Sequence, residues 1–350
     1  MPEVSVIIPT YNRSGFVVEA VNSVLSQTFD DLEVVVVNDG SSDETARVLE
    51  NFNDPRVKPM HQANVGRSTA RNRGFAESSG QFIVFLDDDD LFLPEKLEKQ
   101  VNFLRENPDT GLVASGFNYV AHDEQIIQTA HPWKHVPVLG WRSCILEIGA
   151  LHLSAVLVRR SAVLNLDVPF HDGLEACEDT DFFVRLSLTG CEMKWLQDVV
   201  CSYRQHASNT MGSLGGPRYR EVIGWLLQRW FARDDLPPEM RAEQAEIEAY
   251  FDLVCALRAY AREEIEAGQR LLVAALKTCP EWETTMFPEF VARFVGYLHA
   301  DPRIMIERVF GKLPGEYAHL AGLKREAYRS FLSKVVTAAQ DGEGPLGESR

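Results

Sequence analysis

No apolar run in this 350-residue chain approaches the roughly 20 residues that a bilayer-spanning helix needs, so no transmembrane segment is expected. The opening Met1-Pro2-Glu3-Val4 has no basic stretch followed by an apolar core, which argues against a secretory signal. Cysteine is sparse and unpatterned. Cys144, Cys177, Cys191, Cys201, Cys255 and Cys279 form no Cys-x-x-Cys pair and no zinc spacing. Reduced thiols in a cytoplasmic protein are the simplest expectation. Positive charge is also short, with 35 basic against 51 acidic residues and a net charge of −16. That balance excludes a nucleic-acid partner held by a broadly positive surface, although a bound cation can still join an acidic protein to a nucleotide. Walker phosphate loops and His-Glu-x-x-His zinc motifs are absent. The glycine pattern from Gly342 to Gly347 follows no strand and opens no helix, so it is not a dinucleotide fingerprint. Asp87, Asp89 and Glu98 fall at calcium-loop positions one, three and twelve, but Phe92 stands where that loop needs glycine.

What the chain does have is four consecutive aspartates, Asp87 to Asp90, directly after the apolar run Phe82-Ile83-Val84-Phe85-Leu86. Crowded carboxylates repel one another, and some take up protons unless a cation neutralises them. Mg²⁺ or Mn²⁺ removes that penalty and binds carboxylate oxygen together with substrate phosphate. An extended backbone would send Asp87 and Asp89 to one side and Asp88 and Asp90 to the other. Alone, such a run reads more readily as a solvated acidic loop. Its surroundings favour a metal–diphosphate site.

Those surroundings alternate strand and helix signals. Val4 to Ile8 and Val34 to Val37 are β-branched runs, the second continuous enough for a strand covered on both faces. Between them, Phe16 to Gln27 places Val17, Ala20, Val21, Val24 and Leu25 at helical spacing. A helix start at Ser41-Ser42-Asp43-Glu44, a strand near Val57 to His61, a helix over 67–77 and a strand over 82–86 continue the pattern. The fold class that follows is α/β, a mainly parallel sheet with helices on both faces. Ligands of such sheets bind beyond the carboxyl ends of the strands, where the loops 9–13, 38–42 and 87–90 converge. Mixed signals over 112–206 include strands at 112–120, 154–158 and 193–203 and a helix over 180–188. Amphipathic helices follow around Val222 to Trp230, Phe251 to Leu257 and Leu271 to Leu276. The expected organisation is a nucleotide half over 1–110, an acceptor half over 111–211, a helical appendage over 212–340 and a loose tail over 341–350.

Read in order, the motifs resemble family 2 glycosyltransferases. They are Pro9-Thr10-Tyr11-Asn12-Arg13, Ser23 with Gln27-Thr28, Asn38-Asp39-Gly40-Ser41, Ala70-Arg71-Asn72-Arg73-Gly74, Asp87 to Asp90, Cys177-Glu178-Asp179-Thr180-Asp181 and Tyr203-Arg204-Gln205-His206. The resemblance extends to about residue 210 of 350, and Asn38 departs mildly from the family's usual Asp-Asp-Gly-Ser. It implies a GT-A fold of Rossmann-like type, a nucleotide-sugar donor with a UDP-sugar as the default, a divalent cation (Mn²⁺ or Mg²⁺), and usually inversion at the anomeric carbon.

The resemblance also assigns roles. Asp39 would accept a hydrogen bond from a pyrimidine imide N–H, its alternative being an acidic turn residue. Thr10 and Tyr11 would flank the base, with core packing as the alternative for Tyr11, and Asn12 and Arg13 complete that loop. Arg71 would reach the base or phosphates with its planar fork. Asp87 would serve ribose and metal water, and Asp89 would ligate the cation directly. Asp88 and Asp90 would stand behind them. Asp179 would be the general base, with Glu178 as runner-up; the alternative is that these acids only complement a helix dipole. Arg204 would hold the diphosphate and His206 would complete the metal shell. Trp133, Trp141 and His152 lie where an acceptor sugar would stack, though aromatic residues also fill cores.

The acceptor could be a saccharide, a lipid-linked or a protein hydroxyl. Competing readings are a sugar nucleotidyltransferase, disfavoured because Pro9 to Asn12 is no glycine-rich basic loop, and a non-catalytic scaffold of the same fold. The appendage is compatible with acceptor binding, self-association into a homo-oligomer, or peripheral contact with the inner face of a membrane.

Overall fold

The structure, a computed structural model, describes residues 1–146, 150–206 and 214–279, together with Val309. The chain separates into two compact units, Met1–Ala207 and Ser208–Arg350. In the first unit, chain order runs β1 (Val4–Thr10), α1 (Ser14–Leu25), β2 (Leu32–Asp39), α2 (Thr45–Glu50), β3 (Val57–Gln62), α3 (Arg67–Glu77), β4 (Phe82–Phe85), β5 (Leu91–Phe92) and α4 (Lys96–Glu106). It continues through β6 (Thr110–Val120), β7 (Ile126–Ala130), α5 (Trp141–Leu146), β8 (Val156–Arg159), α6 (Arg160–Val163), α7 (Glu178–Leu188) and β9 (Glu192–Arg204).

These strands form one sheet ordered β3-β2-β1-β4-β8-β6-β9-β5, with β7 paired to β6. The expected α/β class with its parallel core is present: β3, β2, β1 and β4 are mutually parallel. Beyond β4 the sheet is mixed, because β8 is antiparallel to both β4 and β6 while β6 and β9 run parallel. Strands from both sides of residue 110 therefore share one hydrogen-bonded sheet. Val34 to Val37 are all fully buried, as a strand covered on both faces requires. One layer of the core joins Val4, Val6, Ile8, Val34, Val36, Phe82 and Val84 to Val17, Val21 and Val24 of α1. Alternation sends Ile7, Ile83 and Phe85 to the opposite face, where Phe85 meets Phe170 and Phe182 edge-on. Burying each such side chain contributes about 1.5–3 kcal/mol, which fixes the strands firmly enough for their end loops to hold a site.

The second unit contains α8 (Gly216–Phe231), α9 (Pro238–Ala242), α10 (Gln244–Ala261) and α11 (Ile265–Thr278). In α8, Trp230 is fully buried, whereas Trp225 is partly exposed beneath the Arg229 guanidinium. Among the described residues no helix is long and apolar enough to cross a membrane. The expected tail at 341–350 and most of the appendage beyond residue 279 lie outside the described residues.

Candidate active site

The end of β1 and the end of β2 present two polar loops that are stapled together. Asn12, in a left-handed conformation (φ 52°), accepts the Ser42 backbone N–H on Oδ1 at 2.7 Å, and its own N–H donates to Ser41 Oγ at 2.9 Å. Gly40 (φ +77°) permits the neighbouring turn; a Cβ there would lie 2.6 Å from the Asn64 backbone nitrogen. Tyr11 is 48% exposed, so its ring packs in no core and is available as a stacking surface. Thr10 is buried and donates its hydroxyl to Asp88 Oδ2 at 2.7 Å.

Asp39, at the end of β2, is buried. Its Oδ1 accepts from Gln62 Nε2 at 2.7 Å and the Val65 N–H at 3.0 Å, and Oδ2 accepts the Gly66 N–H at 2.8 Å. A carboxylate offers about four acceptor positions, so this one keeps one position unused.

The four aspartates depart from the alternation expected of extended backbone. β4 ends at Phe85, and the chain turns so that the Asp90 N–H donates to the Asp87 carbonyl at 3.0 Å. As a result Asp90 joins Asp87 and Asp89 on one side, with carboxylate oxygens all within 4.8 Å of one another. Asp88 turns back toward Thr10 and Arg13. Arg13 spans the gap, donating to Asp88 Oδ1 at 2.9 Å and Asp89 Oδ2 at 2.5 Å. His206 also reaches Asp89 Oδ2, at 3.0 Å, and stacks on Phe16.

Asp90 is fully buried and held from three sides. His152 Nε2 lies 2.7 Å from Oδ2, Ser154 Oγ donates to the same oxygen at 2.6 Å, and the Arg204 N–H donates to Oδ1 at 3.2 Å. His152 thus sits beneath the acidic loop, with Phe117 and Tyr203 against its ring, rather than on an open acceptor surface. The Arg204 guanidinium is directed to Glu19 at 2.5 Å and overlies Phe16, so this residue meets Asp90 through its backbone N–H.

Arg71 joins this loop to the start of α7. It is buried, lies over the Phe170 ring, and donates to Asp87 Oδ1 at 2.5 Å and Glu178 Oε1 at 2.9 Å. Arg67 adds a second guanidinium to Glu178 Oε1 at 2.7 Å. α7 begins at Glu178, two residues before the expected Thr180, so both candidate acids lie within its first turn. Cys177, just before them, is left-handed (φ 62°), an uncommon conformation for a residue with a Cβ. Glu178 is buried between two arginines. Asp179 is half-buried, and Oδ1 accepts the adjacent Thr180 N–H at 2.7 Å.

The electrostatics divide these acids. Burial, and then the neighbouring Asp89, push Asp88 up to about 7 from an ordinary 3.8. Burial also raises Asp90, against the opposing pull of His152. Burial acts the same way on Asp87, but the charge and hydrogen bond of Arg71 outweigh it and hold that carboxyl below its usual range. Asp179 is raised by burial and by Glu178. His152 is raised because Asp90 overcomes its burial. The four carboxyl groups of the loop thus meet Arg13, Arg71, His152 and His206. An all-oxygen set of this kind suits a hard divalent ion, and the Asp87, Asp89 and Asp90 group could hold one.

Sequence reading did not identify Arg67, Ser154 or the ionic role of His152. Their partners lie 111, 64 and 62 residues away in the chain, so no local pattern announces them.

Residues 5–166 match the model of glycosyl transferase family 2. Chondroitin synthase of Pasteurella multocida (strain Pm70) is 30% identical over 226 residues, covering 60% of this chain and 21% of that protein. The matched stretches span only 18% to 31% of the first curated relatives' own length. S. aureus TarS 1–349 in complex with UDP-GlcNAc has a TM-score of 0.59 and 22% identity, covering 98% of this chain and 93% of TarS 1–349. The mannosyltransferase PcManGT from Pyrobaculum calidifontis, in complex with GDP-Man and Mn²⁺, has a TM-score of 0.57 and 19% identity over 89% of this chain and 88% of its own. At these identities the likeness of the solved structures is one of fold.

Proposed function

Residues 5–166 belong to glycosyltransferase family 2, and from that premise we propose that the protein transfers a sugar, with inversion, from a nucleotide-diphosphate donor to an acceptor hydroxyl. The observation that carries this reading is the gathering of Asp87, Asp89 and Asp90 at the strand ends, where one carboxylate oxygen from each lies within 4.8 Å of the others. A cation on Asp89 and Asp87, with His206 beside them, would act as a Lewis acid toward the charge of the departing diphosphate.

The chain's own residues supply the remaining steps. Tyr11 offers an exposed ring to a base, and the unused acceptor position on Asp39 suits an imide N–H. Uridine fits that pairing, and the complex of TarS with UDP-GlcNAc supports the same donor class. Asn12 holds the two loops in register, while Thr10 and Arg13 hold Asp88 and Asp89. Asp179 takes the proton from the attacking hydroxyl, and its raised proton affinity suits a base. Glu178, already engaged by Arg67 and Arg71, positions instead. The reading divides the chain into a donor half over 1–110, an acceptor half over 111–211 and a helical appendage over 212–340. It puts the acceptor hydroxyl on a saccharide, a lipid-linked molecule or a protein, and the reaction in a cytoplasm that keeps thiols reduced.

A thermal-shift panel of UDP, TDP and GDP, each with and without Mn²⁺, tests the donor assignment. A diphosphate at 100 times its dissociation constant raises stability by about 2.7 kcal/mol. The expected result is a shift with UDP that requires Mn²⁺. Equal melting temperatures across the whole panel would refute the donor site.

A further inference from the structure

The sheet face that carries α7 holds a second feature that the donor site does not use. In β6, Val113 and Phe117 face the main core layer, so Ala114 and Gly116 face the opposite side, the one on which Phe85, Phe170 and Phe182 pack. Trp195 on β9 is the parallel partner of Ala114. The Trp133 ring lies over Gly116, where an added Cβ would come within 2.9 Å of Cζ3. Both indoles are half-buried, and both are held in place. The glycine leaves room for one, and Trp195 Nε1 donates to the Val136 carbonyl at 2.6 Å. Their centroids are 6.3 Å apart with the planes inclined at 60°. Together they border a cleft of about 340 Å³, at the small end of the range for ligand sites, whose remaining walls include Lys194, Gln197, Pro137 and Val138.

We propose that this cleft is a saccharide subsite that grips the acceptor several sugar units behind the hydroxyl being glycosylated. The proposal rests on the glycosyltransferase reading above. A pyranose ring has a C–H face that packs on an indole and a rim of hydroxyls that seek polar partners. The cleft supplies two indoles and, in the same lining, the polar residue Gln197, while the Lys194 ammonium pairs with Glu192 at 3.2 Å. Its position sets the spacing. Ala114 pairs with Trp195, whereas Val120, six residues on, pairs with Arg204, whose N–H touches Asp90. At strand rise this separates cleft and acidic loop by about 20 Å along the sheet. The cleft thus shares a sheet face with Asp179's helix yet lies too far from the acidic loop for a single sugar to touch both.

The test is isothermal titration of the full chain with chito-, cello- and uronate-bearing octasaccharides and the matching disaccharides, without donor. At least one octasaccharide should bind saturably while its disaccharide binds about tenfold more weakly. Trp195→Ala should erase that difference. Val138→Glu should do the same from the cleft mouth, where Val138 is 77% exposed and the fold tolerates substitution. UDP-sugar hydrolysis without acceptor reads the donor site separately and should stay at the parental rate in both variants. Octasaccharides that bind no better than disaccharides, or variants that bind them like the parent, overturn the subsite whether or not the donor is hydrolysed.

Discussion

The two ends of the parallel strands use buried carboxylates in opposite ways. At the amino end, Glu33 of β2 is buried and accepts from the Ser5 hydroxyl at 2.6 Å, the Ser79 N–H at 2.6 Å and the Lys58 ammonium at 2.5 Å. Although burial opposes it, these partners hold the carboxyl down to about 2. At the carboxyl end, four aspartates share one turn, and burial, then the neighbouring Asp89, push Asp88 up to about 7. One end is satisfied by the protein itself. The other gathers three carboxylates that could hold a metal ion, so the contrast sets a self-satisfied corner against a candidate binding edge.

Four substitutions would sharpen that contrast or break it. Asp179→Asn should lower kcat for transfer by about 10²–10⁴-fold, the range for loss of a general base, with little change in donor KM or melting temperature. Asp89→Asn should lower donor turnover by about 10²–10³-fold, as loss of an electrostatic stabiliser does, and should abolish the Mn²⁺ dependence of nucleotide binding. Parental turnover in both variants would remove the carboxyl end from the chemistry. Glu33→Gln should leave turnover intact but cost about 1–3 kcal/mol in denaturant unfolding, because Lys58 and two serines lose a charged partner. Asp88→Asn should be the mildest, within about 1 kcal/mol and stabilising at neutral pH without metal.

Melting curves across pH compare the two ends directly. Glu33 is depressed from 4.5 to about 2 on folding, so its contribution is complete above about 4.5 and is lost as pH falls toward 2. Asp88 is raised from 3.8 to about 7, so the folded chain binds the extra proton between those values. Its contribution to stability therefore falls as pH rises from about 4 to about 7. In chelator, Glu33→Gln should lessen the acid-side slope and Asp88→Asn the slope between about 4 and about 7.

Much of the fold is legible in the chain because its signals are local. The β-branched runs became β1 and β2, and α3 spans the expected residues 67–77. What escaped reading depends on distant partners. β7 is an exposed edge strand whose Ile126 and Ile127 face solvent, so no burial pattern marks it. The alternation assigned to Asp87 to Asp90 failed because a hydrogen-bonded turn replaces extended backbone there. Motif order brought Asp39, Arg71, the aspartates and the Glu178-Asp179 pair to one edge on paper. It did not reveal that Arg71 is occupied by Asp87 and Glu178, or that His152 braces Asp90.

Arg71 has a consequence for how the chain is made. Both its anions are synthesised after it: Asp87 follows 16 residues later and Glu178 107 residues later. A nascent chain cut off near residue 110 would have to enclose a guanidinium with half its counter-charge still unsynthesised. Arg71 thus ties the loop after β4 to the start of α7 across most of the first unit.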